Sequence, residues 1–153
     1  ITYLPFSIIY AIYSGQTGIS FLSLKRFHLR TMAKTILIVG DSSSLRTVVR
    51  LALVRAGYEV LEAGDGIEGL AQLDKTRVNL IVSDVNMPRM DGIAFVRKLK
   101  ENARHKFTPV IMLTTEGQAA KMEEGRAAGA RAWMVKPFNP PQLLDAVSKL
   151  MPA

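Results

Sequence analysis

The chain has 153 residues, 48% of them hydrophobic, with no cysteine and a formal net charge of +7. These values fit one globular domain and exclude a disordered chain, a disulfide-stapled fold and any site that needs a thiolate. The two histidines, His28 and His105, are too far apart in sequence to indicate a histidine metal centre.

Residues 1–31 differ in composition from the rest of the chain. They contain no acid and three bases, Lys25, Arg26 and Arg30, so residues 32–153 hold 17 bases and 13 acids, a net charge of +4. Because the two signs are interspersed there, we expect a solvated surface that binds no nucleic acid directly. Proline and glycine interrupt the apolar stretch before Lys25, which argues against a membrane span. We therefore interpret 1–31 as an extension outside the fold, with a membrane or partner anchor as the alternative, and 32–153 as the domain.

After this extension, short apolar runs alternate with amphipathic stretches. The runs that predict strands are 36–39, 58–61, 80–83, 110–113 and 132–135. The stretches that predict helices are 45–56, 67–75, 93–102, 118–128 and 142–150, the last opened by Pro140 and Pro141. Continuous β-branched runs suit parallel strands that are buried on both faces. The strict alternation predicts an α/β fold, a doubly wound (βα)5 parallel sheet.

Ligands of such sheets bind beyond the carboxyl ends of the strands. Those ends carry two carboxylates, a hydroxyl and an ammonium group, from Asp41, Asp84, Thr114 and Lys136. This set suits a magnesium ion together with a phosphoryl group. Taken alone, Asp41 has a second interpretation as the N-cap of the helix that follows it.

The order of these segments resembles that of a response-regulator receiver domain, in particular the single-domain CheY-like chemotaxis regulators. The resemblance covers 34–151 and rests on four segments, 36–43, 83–92, 109–116 and 128–138. It implies a flavodoxin-like fold with strand order 2-1-3-4-5. It also implies a bacterial, cytoplasmic response regulator of a two-component system.

The same resemblance implies roles for the residues at the strand ends. Asp84 would be the nucleophile that accepts a phosphoryl group from a histidine kinase. Mg²⁺ would be bound by the carboxylates of Asp41 and Asp84 and by the backbone carbonyl of Asn86. Thr114 would turn toward the new phosphoryl group, and Lys136 would pair with it.

Further positions also have counterparts in the family. Trp133 stands where the family usually has Tyr or Phe, a ring that moves inward with the threonine, although a plain packing role is the alternative. The peptide bond between Lys136 and Pro137 is expected to be cis. Asn86 and Glu116 lie where the family tunes how fast water removes the phosphoryl group.

The implied function is signalling rather than enzyme catalysis in the usual sense. The protein would assist its own phosphotransfer and dephosphorylation and would signal through its own surface, in chemotaxis. Its partners would be a histidine kinase and a flagellar motor switch protein or another chemotaxis protein.

One departure from the family concerns the end of the first strand. The family normally has two consecutive acids there, and this chain has Gly40 before Asp41. The missing acid would hold a metal-bound water, so its loss should weaken Mg²⁺ binding. The alternative function is therefore a pseudo-receiver adaptor that works without phosphorylation.

A second alternative is a nucleotide-binding enzyme fragment. Residues 64–69 match the pattern G-x-G-x-x-G, and the acid Asp84 follows about 20 residues later, as in a dinucleotide fingerprint. The pattern follows the second predicted strand rather than the first, and it leaves Thr114 and Lys136 without a role. We therefore favour the receiver interpretation.

Overall fold

The computed structural model describes residues 33–115 and 118–151. The extension proposed for residues 1–31 and the predicted tuning residue Glu116 lie outside the described residues. Within the described part of the chain, no helix has the length and apolar character needed to cross a membrane.

Five strands and five helices alternate along the part of the chain that the structure describes, as predicted. The strands are β1 (Thr35–Val39), β2 (Glu59–Ala63), β3 (Leu80–Asp84), β4 (Val110–Thr114) and β5 (Ala132–Val135). The helices are α1 (Ser43–Arg55), α2 (Gly66–Lys75), α3 (Gly92–Glu101), α4 (Ala119–Ala128) and α5 (Pro140–Leu150). All strand pairs are parallel and their order is β2-β1-β3-β4-β5, which confirms the expected fold.

The core lies on both faces of the sheet because successive side chains of a strand point to opposite sides. In β1, Leu37 and Val39 join one apolar cluster, and Ile36 and Ile38 join the other. The first cluster includes Phe95 of α3, and the second includes buried residues of α1 and α5. The central strands β3 and β4 are buried along their whole length. Their carboxyl ends are therefore held rigidly side by side.

The beginning of α1 corrects one interpretation from the sequence. The N-cap is Ser42, whose extended backbone lets its side chain accept a hydrogen bond of 3.3 Å from the Leu45 N–H. Asp41 lies one residue earlier and is exposed, so its interpretation as the N-cap is wrong. The carboxylate of Asp41 is thereby left available at the edge of the sheet.

Candidate functional site

Asp84 and Lys136 form an ion pair at the carboxyl edge of the sheet. Asp84 is the last residue of β3 and is only 3% exposed. Lys136 directly follows β5, and its backbone N–H donates to the Thr114 carbonyl over 2.7 Å. Its ammonium group contacts Asp84 Oδ1. The next peptide bond, Lys136–Pro137, is cis, the isomer that the family resemblance implies.

The surroundings of Asp84 disfavour its charge. Burial raises the pKa of its carboxyl, the ion pair with Lys136 opposes that rise, and the negative charge of Asp41 adds to it. The net result is a pKa above the usual range of an aspartate. The ammonium group of Lys136 thus does not fully offset the cost of a negative charge on Asp84, so the site would favour a bound cation.

The residues present fit a magnesium ion. Asp84 and the exposed Asp41 offer hard oxygen donors close enough for the charge of one to affect the pKa of the other. In 33–115 and 118–151, no three acidic or histidine side chains are grouped so as to hold a metal by themselves. Mg²⁺ is suited to such a site because it usually keeps several waters and binds one or two carboxylates together with phosphate oxygens. Asn86 lies two residues beyond Asp84 and is exposed.

Gly40 lies at the end of β1, next to Asp84. Its N–H donates to the Ala63 carbonyl over 3.0 Å, and its own carbonyl accepts a hydrogen bond from the guanidinium of Arg46. The space above its α carbon is filled by the Asp84 carboxylate. The family has a second acid at position 40. In this chain the space where that side chain would begin is taken by the carboxylate of Asp84, the predicted nucleophile.

Thr114 ends β4 and is 2% exposed. Its hydroxyl donates to Gln118 Oε1 over 2.6 Å and lies 3.2 Å from the Thr115 carbonyl oxygen. The hydroxyl is therefore directed toward the start of α4 and not toward Asp84. Sequence reasoning missed Gln118, since a glutamine after a strand carries no signal that it bonds the residue ending that strand.

Trp133 lies in β5, and its ring packs against α4. The helix presents Gly125 to the ring, so closely that a β carbon at that position would overlap the indole. The indole Nε1 is buried and has no hydrogen-bond partner among the described residues. The six-membered side of the ring thus fills a gap that only glycine leaves open.

In the glycine-rich segment at the start of α2, backbone N–H groups donate hydrogen bonds to carboxylates of the same segment. Glu68 accepts a hydrogen bond of 2.6 Å from the Gly64 N–H, and Asp65 accepts one of 3.0 Å from the Glu68 N–H. Arg89 donates to Asp65 from its Nε over 2.6 Å, and Gly69 packs against the ring of Phe95. At least two N–H groups that would bind a pyrophosphate are thereby engaged, which speaks against the dinucleotide interpretation.

Comparisons with known proteins agree with this geometry. Residues 36–148 match the family model of the response regulator receiver domain. The chemotaxis protein CheY1 of Helicobacter pylori is 38% identical over 118 residues, which cover 76% of this chain and 95% of that protein.

Solved structures of receiver domains resemble this fold as well. The Vibrio cholerae chemotaxis protein CheY4 is 47% identical with a TM-score of 0.75, and the match covers 78% of this chain and 99% of that one. The receiver domain of a Pseudomonas aeruginosa sensor histidine kinase, determined with magnesium in its active-site cleft, is 26% identical with a TM-score of 0.73 over 79% of this chain and 99% of that one.

Proposed function

The chain belongs to the response-regulator receiver domain family, and we propose that it is phosphorylated on Asp84 with the help of Mg²⁺. The observation that carries this proposal is the buried Asp84 carboxylate at the end of β3, in contact with the ammonium group of Lys136. A buried carboxylate beside the ammonium group of a lysine, at the carboxyl edge of a doubly wound sheet, suits the acceptance of a phosphoryl group.

In the proposed reaction a carboxylate oxygen of Asp84 attacks the phosphorus atom of a kinase phosphohistidine. The new O–P bond forms as the P–N bond breaks, and the imidazole leaves with the electron pair of that bond. Bound Mg²⁺ supplies positive charge to the transferring phosphoryl oxygens. Asp41 and Asp84 would hold the ion together with the Asn86 carbonyl. Lys136 would transfer its contact from Asp84 to a phosphoryl oxygen, since the carboxyl group of Asp84 carries no charge once it is part of the acyl phosphate, a mixed anhydride.

The later steps of the proposed cycle rest on the resemblance to chemotaxis regulators. The protein would assist its own dephosphorylation, with Asn86 and Glu116 setting the rate. We place it in the cytoplasm, between a histidine kinase and a flagellar motor switch protein or another chemotaxis protein. The signal would leave through α4, β5 and α5, with Thr114 and Trp133 as the residues that change position.

Acetyl phosphate with Mg²⁺, followed by intact mass measurement, tests the phosphorylation directly. The parent protein should gain about 80 Da, the mass of one phosphoryl group, and Asp84→Asn should gain nothing. Asp91→Asn is a matched control, because Asp91 caps the next helix from the same loop and asparagine caps equally well. An adduct on Asp84→Asn would show that Asp84 is not the acceptor.

The pseudo-receiver adaptor remains the second candidate because of Gly40. The Asp84 carboxylate fills the space in which the side chain of the missing acid would begin. In such an adaptor, the ion pair of Asp84 with Lys136 would stabilise the fold and take no part in phosphorylation. A parent protein that acquires no adduct, while Gly40→Asp acquires one, would identify the chain as such an adaptor.

The output surface is tested through Trp133. Trp133→Ala, and Trp133→Phe as the milder change, should weaken phosphorylation-dependent binding to the partner while the adduct on Asp84 still forms. Unchanged binding by both variants would make Trp133 a packing residue.

A further inference from the structure

We propose that Gln118 is a positioning residue that holds the Thr114 hydroxyl away from Asp84 until Asp84 is phosphorylated. The inference rests on the function proposed above, because it concerns the residue that would bind the phosphoryl group. It adds to that function a hydrogen bond between Thr114 and Gln118 in the unphosphorylated protein, which has to break when Asp84 is phosphorylated.

The geometry of the Thr114 hydroxyl carries the argument. A threonine hydroxyl has one hydrogen to donate, and here that hydrogen is directed at Gln118 Oε1 over 2.6 Å. The Thr115 carbonyl, at 3.2 Å, is a weaker second acceptor for the same hydrogen. Because Thr114 is 2% exposed, water cannot readily replace either acceptor. The hydroxyl can bind a phosphoryl oxygen only if it leaves Gln118.

Gln118 links the Thr114 hydroxyl to the helix that packs against Trp133. Gln118 is the N-cap residue of α4, yet its side chain makes no capping hydrogen bond to the helix. Its side-chain oxygen is used for Thr114 instead. Farther along the same helix, Gly125 receives the ring of Trp133. One helix therefore contacts both residues of the proposed switch, and release of Gln118 would free its first turn.

The expected size of the effect follows from the energy of one hydrogen bond. A net intramolecular hydrogen bond changes a two-state equilibrium by about twofold to tenfold. Once freed, the amide of Gln118 can be solvated because this residue is only half-buried. Removal of the hydrogen bond between Thr114 and Gln118 should therefore raise the population of the turned Thr114 conformation by about this factor.

Beryllofluoride with Mg²⁺, a non-covalent mimic of the phosphoryl group, provides the test. Gln118→Ala should bind it about twofold to tenfold more tightly than the parent, since less energy is spent on turning Thr114. Gln72→Ala is a matched control on α2, which packs beside β1 and β2, and it should bind like the parent. Gln118→Glu keeps the acceptor oxygen and should bind no more tightly than the parent. In a Thr114→Val background, Gln118→Ala should have no further effect.

A second measurement does not depend on phosphorylation. The methyl resonance of Thr114, observed by NMR in the free protein, should shift in Gln118→Ala and stay in place in Gln72→Ala. If the parent does not bind beryllofluoride, the proposed function fails, and the methyl resonance still decides whether Gln118 positions Thr114. Equal beryllofluoride affinity of parent and Gln118→Ala, or an unchanged Thr114 methyl resonance, would overturn the inference.

Discussion

The carboxylate of Asp84 lies in the space where a side chain at position 40 would begin, and Gly40 leaves that space free. A β carbon at position 40 would lie 2.9 Å from Asp84 Oδ2, closer than the 3.0 Å below which real β carbons are essentially never found. Asp84 must therefore shift before any side chain can stand at position 40. The glycine permits the position of Asp84 in which it contacts Lys136.

Gly40→Asp should make the fold more sensitive to magnesium. Without Mg²⁺ the new side chain displaces Asp84 and adds negative charge beside a carboxyl whose pKa is already raised, so we expect a loss of stability of about 1–3 kcal/mol. With Mg²⁺ the added carboxylate should tighten metal binding, so the melting temperature should rise more steeply with Mg²⁺ concentration than that of the parent. Melting curves over a Mg²⁺ series measure both effects.

Gly40→Ala separates the steric part of this prediction from the charge. It introduces the same β carbon without a carboxylate, so it should lose stability and gain no additional response to Mg²⁺. An identical Mg²⁺ dependence of Gly40→Asp and the parent would show that the departure from the family is neutral for metal binding.

Asp84→Asn should stabilise the metal-free protein at neutral pH. The pKa of Asp84 is raised in the folded state, chiefly by burial. Its contribution to stability is therefore fully present below the unfolded pKa, near 3.8, and is lost as the pH rises through the folded value. At pH 7 the neutral asparagine should be more stable by about 1 kcal/mol, and the difference should shrink as the pH falls toward 4. Urea unfolding over a pH series checks this, and a variant less stable than the parent at pH 7 would contradict it.

Asp65→Asn should show the opposite dependence on pH. The Glu68 N–H lowers the pKa of Asp65 most strongly, against the effect of burial and with help from Arg89. Its contribution is thus present above the unfolded pKa and lost as the pH falls through the folded value. Asparagine can still cap the helix but cannot pair with Arg89, which is half-exposed, so we expect a loss of about 1 kcal/mol at pH 7.

Urea unfolding at pH 7 and at acid pH measures this loss, with two controls. Asp91→Asn alters another N-cap aspartate, one without an ion pair in the described part of the chain, and should cost little. Arg89→Ala combined with Asp65→Asn should cost no more than Arg89→Ala alone. Equal losses for Asp65→Asn and Asp91→Asn would mean that the pair with Arg89 does not stabilise the fold.

Gly125→Ala should displace the ring of Trp133. The added methyl group overlaps the indole, and overpacking of this kind costs about 1–3 kcal/mol. We expect a lower melting temperature and a red shift of the Trp133 fluorescence, since the ring must move toward solvent. Trp133→Phe in the same protein should recover most of the stability because the smaller ring leaves room for the methyl group. A Gly125→Ala protein with parental stability and emission would show that the helix simply moves aside.

Much of the fold was predictable from the sequence because it depends on local patterns. The apolar runs located all five strands, and β5 has the predicted bounds, 132–135. The prediction was less accurate for β2, which ends at Ala63 rather than at residue 61. This strand lies at the edge of the sheet, where polar Glu62 is tolerated, so the end of the apolar run did not mark the end of the strand.

The candidate site was predictable only in part, for a related reason. Asp84 and Lys136 stand at strand ends, and the topology of the sheet brings such ends together whatever the details of the loops. The bond between Thr114 and Gln118 depends instead on the side-chain conformation chosen at the start of α4. The contact of Gly125 with Trp133 depends on the rotation of that helix about its axis. Neither leaves a pattern in the sequence.

The only buried residue of α4 is a glycine, and this has a consequence for how the protein can evolve. The helix meets the core through the ring of Trp133 from the neighbouring strand and through Ala128 at its own end, so most of its side chains are not needed for packing. Substitutions on its outer surface should therefore be possible at little cost to folding. Related chains could therefore differ on the outer surface of this helix while the sheet and the residues at its carboxyl edge stay the same.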